Sequence, residues 1–130
     1  MATSPMRLLA TGTTAVLQRL VGEDSLVDAR LLAVSASMGE VGEEPSAVLR
    51  FAARAGSRLR EVRLELRGLL RVDLYWEPER ELYHVERCKR LRVPDGVYLS
   101  LDPFDEELVV SEEDRGVFVA RDVSAYGEDR

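Results

Sequence analysis

Seven carboxylates fall between Asp102 and Asp114, with no base among them: Asp102, Asp105, Glu106, Glu107, Glu112, Glu113 and Asp114. One aromatic residue, Phe104, sits inside the run. Like charges at this density repel, so the segment is expected to stay solvated and extended. Three uses suit it. It can be a solubilising surface. It can be a docking surface for a basic partner, raising the association rate and imposing salt dependence, with Phe104 as a buried anchor. Or Asp102, Asp105 and Glu106 can offer hard oxygen ligands to a divalent cation, although their spacing does not match a calcium-binding helix-loop-helix.

The remaining chemistry-bearing residues are His84, the only histidine, and Cys88, the only cysteine. A zinc site needs more ligands than these two supply. A cysteine–histidine nucleophile pair needs hydrogen-bond contact. On a regular strand, same-face neighbours stand ~7 Å apart and the i, i+4 pair about twice that, so Cys88 reads as a small buried hydrophobe. The chain holds no Gly-rich phosphate loop, nucleophile elbow or metalloprotease helix. It therefore reads as a non-enzyme with no cofactor and no metal.

The elements that must position these residues follow from periodicity. Leu9, Val16, Leu17 and Leu20 share a face at helical spacing, so Met6 to Val21 is expected as one helix, entered at Ser4-Pro5 and stopped at Gly22. From Ser25 the period becomes two, giving a strand through Val34 and a second from Ala47 to Ala55. The clearest alternation is Val62, Leu64 and Leu66 against Glu61, Arg63, Glu65 and Arg67, a half-buried strand with a charged face. Gly68 allows a bulge or a turn. Leu70, Val72, Leu74 and Trp76 form the next apolar face. Further strands are expected at Leu82 to Cys88, Val97 to Leu101 and Val117 to Val123, with turns at Glu77 to Arg80 and Pro94 to Gly96. Trp76, Tyr75, Tyr83 and Tyr98 read as core aromatics. The fold class is α+β, mostly β: an antiparallel sheet or sandwich of about seven strands with one N-terminal helix. It forms a single domain over 1–130, with a helix at 6–21 and a β-rich body at 25–126.

At 130 residues, 45% apolar and 32% charged, the chain can build one core without staples. No apolar run reaches the ~20 residues of a membrane span, and Thr11 to Thr14 interrupt any leader-like stretch. With a single cysteine, no intrachain disulfide forms, which favours the cytoplasm. The net charge of −6 belongs to the C-terminal quarter: residues 100–130 hold ten acids and three arginines, and the rest is nearly balanced. Phosphate binding needs clustered bases, so nucleic acid is not an expected partner, and neither is a membrane. Lys89 is the only lysine among 18 bases.

From Leu26 to Tyr126 the layout resembles small β-rich bacterial immunity proteins of polymorphic toxin systems. The likeness rests on Leu26, Asp28 and Ala29, on the Asp-Gly-Val-Tyr-Leu-Ser-Leu-Asp-Pro stretch from Asp95 to Pro103, and on Phe118 to Val123. It implies binding and neutralising a toxin without catalysis. The expected function is a protein-binding module whose acidic loop docks a basic protein partner. The alternative is a structural subunit forming a homo-oligomer through a sheet edge or the N-terminal helix.

Overall fold

The computed structural model describes residues 5–74 and 84–130. Among these, seven strands form one antiparallel sheet: β1 (Arg7–Thr11), β2 (Arg30–Ser37), β3 (Ser46–Ala52), β4 (Leu59–Asp73), β5 (Lys89–Val93), β6 (Gly96–Asp102) and β7 (Arg115–Asp129). A single helix, α1 (Thr13–Arg19), lies near the N-terminus. The strand order is β2-β3-β4-β7-β6-β5, with β1 also paired to β7. β7 is the spine: β4 runs along one side, and β6 and β1 share the other.

The two outer strands are tied at one end. The Asp28 amide donates to the Val85 carbonyl (2.7 Å) and the Val85 amide to the Ala29 carbonyl (2.9 Å), beside an antiparallel bridge between Arg30 and His84. The chain then enters β5 at Lys89, so the sheet curls around its core. Leu49, Phe51, Val62, Leu64, Leu66, Leu99, Phe118, Val123 and Ala125 fill that core, and Val16 and Leu20 close it from the helix side. Register puts like against like: Leu49 faces Leu64, Phe51 faces Val62, Leu66 faces Val123 and Leu99 faces Phe118. Each fully buried side chain of this size contributes roughly 1.5–3 kcal/mol.

The expected helix from Met6 to Val21 is corrected. Its first part is β1, and only Thr13–Arg19 is helical. Gly12, at φ 91°, turns the strand into the helix, and its amide donates to the Val123 carbonyl (2.9 Å). That conformation is open to glycine and strained for other residues. The helix is held from β5 at both ends: the Arg90 guanidinium donates to the Leu17 and Leu20 carbonyls at its C-terminus, and Arg92 to the Thr14 hydroxyl (2.6 Å) in its first turn.

Other boundaries move as well. The strand expected from Ser25 starts at Arg30; Leu26 and Ala29 are buried in the turn before it, where Asp28 takes φ 69°. The segments on either side of Gly68 are one continuous strand, and Gly68 (φ 65°) sits where its facing changes. Val62, Leu64 and Leu66 point inward, followed by the half-buried Leu69. Opposite them on β7 the buried series Phe118, Ala120 resumes as Val123, Ala125, so both strands change phase at one level. Beyond this point β4 has left the core, and Val72 and Leu74 are exposed rather than buried. The strand expected at Leu82 to Cys88 begins outside the described residues; within them His84 makes one bridge, and regular pairing begins at Lys89. Tyr75, Trp76, Tyr83 and the turn at Glu77 to Arg80 lie outside the described residues.

Candidate functional site

β6 carries two buried faces. Val97, Leu99 and Leu101 belong to the core, while Tyr98 and Ser100 point to the opposite side and are also buried. Lys89 pairs with Ser100 and so joins that second face. The acidic segment between β6 and β7 folds back over it.

Lys89 is the device that makes this fold possible. Its side chain is 2% exposed, and Nζ donates to Asp105 Oδ1 (3.0 Å), to both Asp114 oxygens (3.0 Å each) and to the Val109 carbonyl (2.9 Å). An ammonium has three donors, and here they reach the start, middle and end of one loop. Burial opposes the charged amine, but hydrogen bonds and charge from Asp105 and Asp114 outweigh it and hold Lys89 above its ordinary value.

Asp114 is the other half of the arrangement, with a side chain 0% exposed. Besides Lys89 it accepts from the Tyr98 hydroxyl (2.7 Å), the Phe104 amide (2.9 Å) and the Ser111 amide (3.1 Å). Burial disfavours its charge, yet these donors together keep the carboxyl below the usual aspartate range. Burial first, then the bond to Asp114, pushes the Tyr98 phenol up.

The eight residues singled out in the sequence therefore part company. Asp114 is removed from the docking set, because it is buried and committed to the loop's own amides. Asp105 is half-buried against Lys89. Asp102 is half-buried at the end of the β6–β7 ladder, paired in register with Arg115. Glu106, Glu107, Glu112 and Glu113 are exposed. Phe104 is 58% exposed, and it has company that sequence reasoning missed: Leu108, Val109 and Val110 are 79%, 56% and 51% exposed. The signal was in the sequence, as an apolar triplet flanked on both sides by acids. The expectation of an extended, solvated loop is corrected, since the loop is folded on a buried ion pair.

Two hollows flank Pro103. A cleft of about 670 Å³ is walled by Asp73, Arg87, Phe104, Glu112, Glu113 and Arg115. A smaller one of about 270 Å³ is walled by Val27, Cys88, Pro103, Glu106 and Leu108. Asp102, Asp105 and Glu106 do not converge, and among the described residues no group of three or more His, Cys, Asp or Glu is placed to hold a metal ion. His84 Nε2 faces Asp28 at 3.7 Å. Cys88 packs against the core, and burial pushes its thiol up to about 12, away from nucleophilic use at neutral pH. No helix among the described residues is long and apolar enough to cross a membrane. No protein-family model, curated protein or solved structure matches the chain.

Proposed function

We propose that this chain is a non-catalytic protein-binding module, of the toxin-neutralising immunity kind, that docks a basic protein through the loop from Pro103 to Asp114. One observation carries the reading. Phe104, Leu108, Val109 and Val110 are displayed to solvent on a loop that a buried ion pair holds in place. Exposed large apolar side chains flanked by charged ones are the composition of an interface. The rim here is Glu106, Glu107, Glu112 and Glu113, so the complementary surface is basic. A second copy of this chain would bring the same acids face to face, which disfavours self-association through the loop.

Pinning adds to the argument. A loop already fixed loses little conformational entropy on binding, and that loss otherwise subtracts from affinity. The test uses a partner recovered by affinity capture and measured by surface plasmon resonance against Phe104→Ala and Leu108→Ala. The expected result is faster dissociation, about thirtyfold for Phe104→Ala, which corresponds to an anchor worth roughly 2 kcal/mol. Both variants binding like wild type would overturn the assignment.

A further inference from the structure

The loop from Pro103 to Asp114 is held in an unusual way. Its large apolar residues, Phe104, Leu108, Val109 and Val110, face solvent, and only Pro103 and Asp114 are buried. Burial of the loop's own apolar side chains therefore does little to keep it on the sheet, and the ring of Tyr98 beneath it is the apolar surface that opening exposes. The polar contacts that hold the loop run largely through two side chains. Lys89 takes Asp105, Val109 and Asp114, while Asp114 takes the Phe104 and Ser111 amides and the Tyr98 hydroxyl. Outside that hub, Arg87 donates to the Pro103 carbonyl (3.1 Å) at one root of the loop, and the Asp102–Arg115 ladder pair closes both roots.

We propose that the Lys89–Asp114 pair is a latch, on which the loop from Pro103 to Asp114 opens and closes as one unit without unfolding the sheet. The argument is one of connectivity. Breaking the pair releases the loop's start, middle and end together, because each is tied to the same two groups. Nothing in the core has to move: Leu64, Phe118 and Ala125 lie on the other side of the sheet from Tyr98 and Ser100, in a separate cluster. Opening exchanges two charges from a buried site into water, which offsets part of the lost attraction, so the open state is reachable below the cost of global unfolding. That docking requires the closed state rests on the function proposed above; the latch itself does not.

Because Lys89 is the only lysine, the chain carries its own reporter. In the closed state the amine is buried and triply bonded; in the open state it meets reagent. The experiment treats the isolated wild-type chain with an amine-acylating reagent and follows Lys89 by peptide mass spectrometry. Backbone hydrogen exchange is measured in parallel. The expected result is Lys89 acylation with a protection factor at least about tenfold smaller than that of the Leu64 and Ala125 amides, showing local opening. Equal protection of Lys89 and the core amides would mean that the loop leaves only with the whole fold, and would overturn the latch. Asp114→Asn and the milder Tyr98→Phe should then speed Lys89 acylation and exchange at the Phe104 and Ser111 amides in parallel, with Leu64 and Ala125 still the better protected by at least about tenfold. Loosening at one end of the loop alone would show separate tethers and would also overturn it. No partner enters the measurement, so failure of the latch and failure of the docking assignment are seen independently.

Discussion

Lys89 Nζ lies 3.0 Å from both carboxylate oxygens of Asp114, 25 residues further along the chain, and the two side chains are 2% and 0% exposed. The only lysine thus supplies the base that the acidic segment lacks, from a strand outside it. The first prediction concerns what this pair does for stability. Removing one partner of a buried pair leaves an uncompensated charge, which costs about 3–5 kcal/mol. Lys89→Met should lower stability by that order in urea unfolding. Lys89→Met combined with Asp114→Leu should recover part of the loss, because no lone charge remains buried. A loss under about 1 kcal/mol for Lys89→Met would place the pair in effective contact with water.

The same groups set a pH window. Asp114 is depressed in the folded chain, so its contribution is present above the unfolded value of about 3.9 and is lost as pH falls through the folded value. Lys89 and Tyr98 are raised. Their contributions are present below their unfolded values, about 10.4 and 10, and are lost as pH rises through the folded ones. Amide exchange at Phe104 and Ser111, corrected for intrinsic pH dependence, should show a flat plateau between these limits. Protection should collapse on both sides before the core melts. A transition inside that plateau would contradict the assignment.

Much of the fold was legible because the core strands alternate cleanly. Val62, Leu64 and Leu66 are buried as their period demands, and the charged series beside them makes ladder contacts such as Arg50 with Glu61 (2.5 Å) and Arg67 with Asp122 (2.6 Å). The expected strand count agrees with the structure for partly compensating reasons. One strand was hidden in the N-terminal segment, where Leu9, Val16, Leu17 and Leu20 mimic a helical stripe although Leu9 lies on β1. Two expected strands meanwhile merge into β4. Periodicity also could not show where β4 runs past the core: a register irregularity between Leu69 and Arg71 pairs Val72 with Phe118, yet Val72 and Leu74 are exposed. The site was half legible. The acids and Phe104 stand out in sequence, but the pairing of Asp114 with Lys89 is a long-range contact that no local pattern encodes.

Gly96 gives a sharp test of the sheet. It opens β6 at φ 142°, and a Cβ there would stand 2.2 Å from the Ala120 carbonyl oxygen and 2.6 Å from that of Arg121. Neither backbone atom can yield without disturbing the β6–β7 ladder, which holds the roots of the acidic loop. Gly96→Ala should cost on the order of 3 kcal/mol in thermal or urea unfolding. A cost below about 0.5 kcal/mol would show that β6 starts elsewhere.

The end of the core partway along β4 predicts two unlike outcomes on one strand and its continuation. Leu64 is 2% exposed and Leu74 is 46% exposed. Leu64→Ala should cost about 2–5 kcal/mol through lost transfer energy and the cavity left behind. Leu74→Ser should stay within about 0.5 kcal/mol. Comparable losses at both positions would show that Leu74 belongs to the buried core.

The last prediction separates the rim from the centre of the proposed docking surface. Glu106, Glu107, Glu112 and Glu113 are exposed and act on a partner at a distance, whereas Phe104 acts only in contact. Reversing the four glutamates to lysine should slow association and flatten its salt dependence, because rim charges act mainly on the on-rate. The effect should be largest at low salt, since screening already operates over ~8 Å at physiological ionic strength. Phe104→Ala should leave the salt slope unchanged and speed dissociation. Asp114→Asn supplies the third class: it touches no partner, so it should weaken binding only as far as it depopulates the closed loop, by the fraction lost. That fraction is the one read independently from Lys89 acylation. If the glutamate reversals and Phe104→Ala changed the same rate constant with the same salt slope, the division into acidic rim and apolar centre would fail, and the loop would be only a charged surface of the fold.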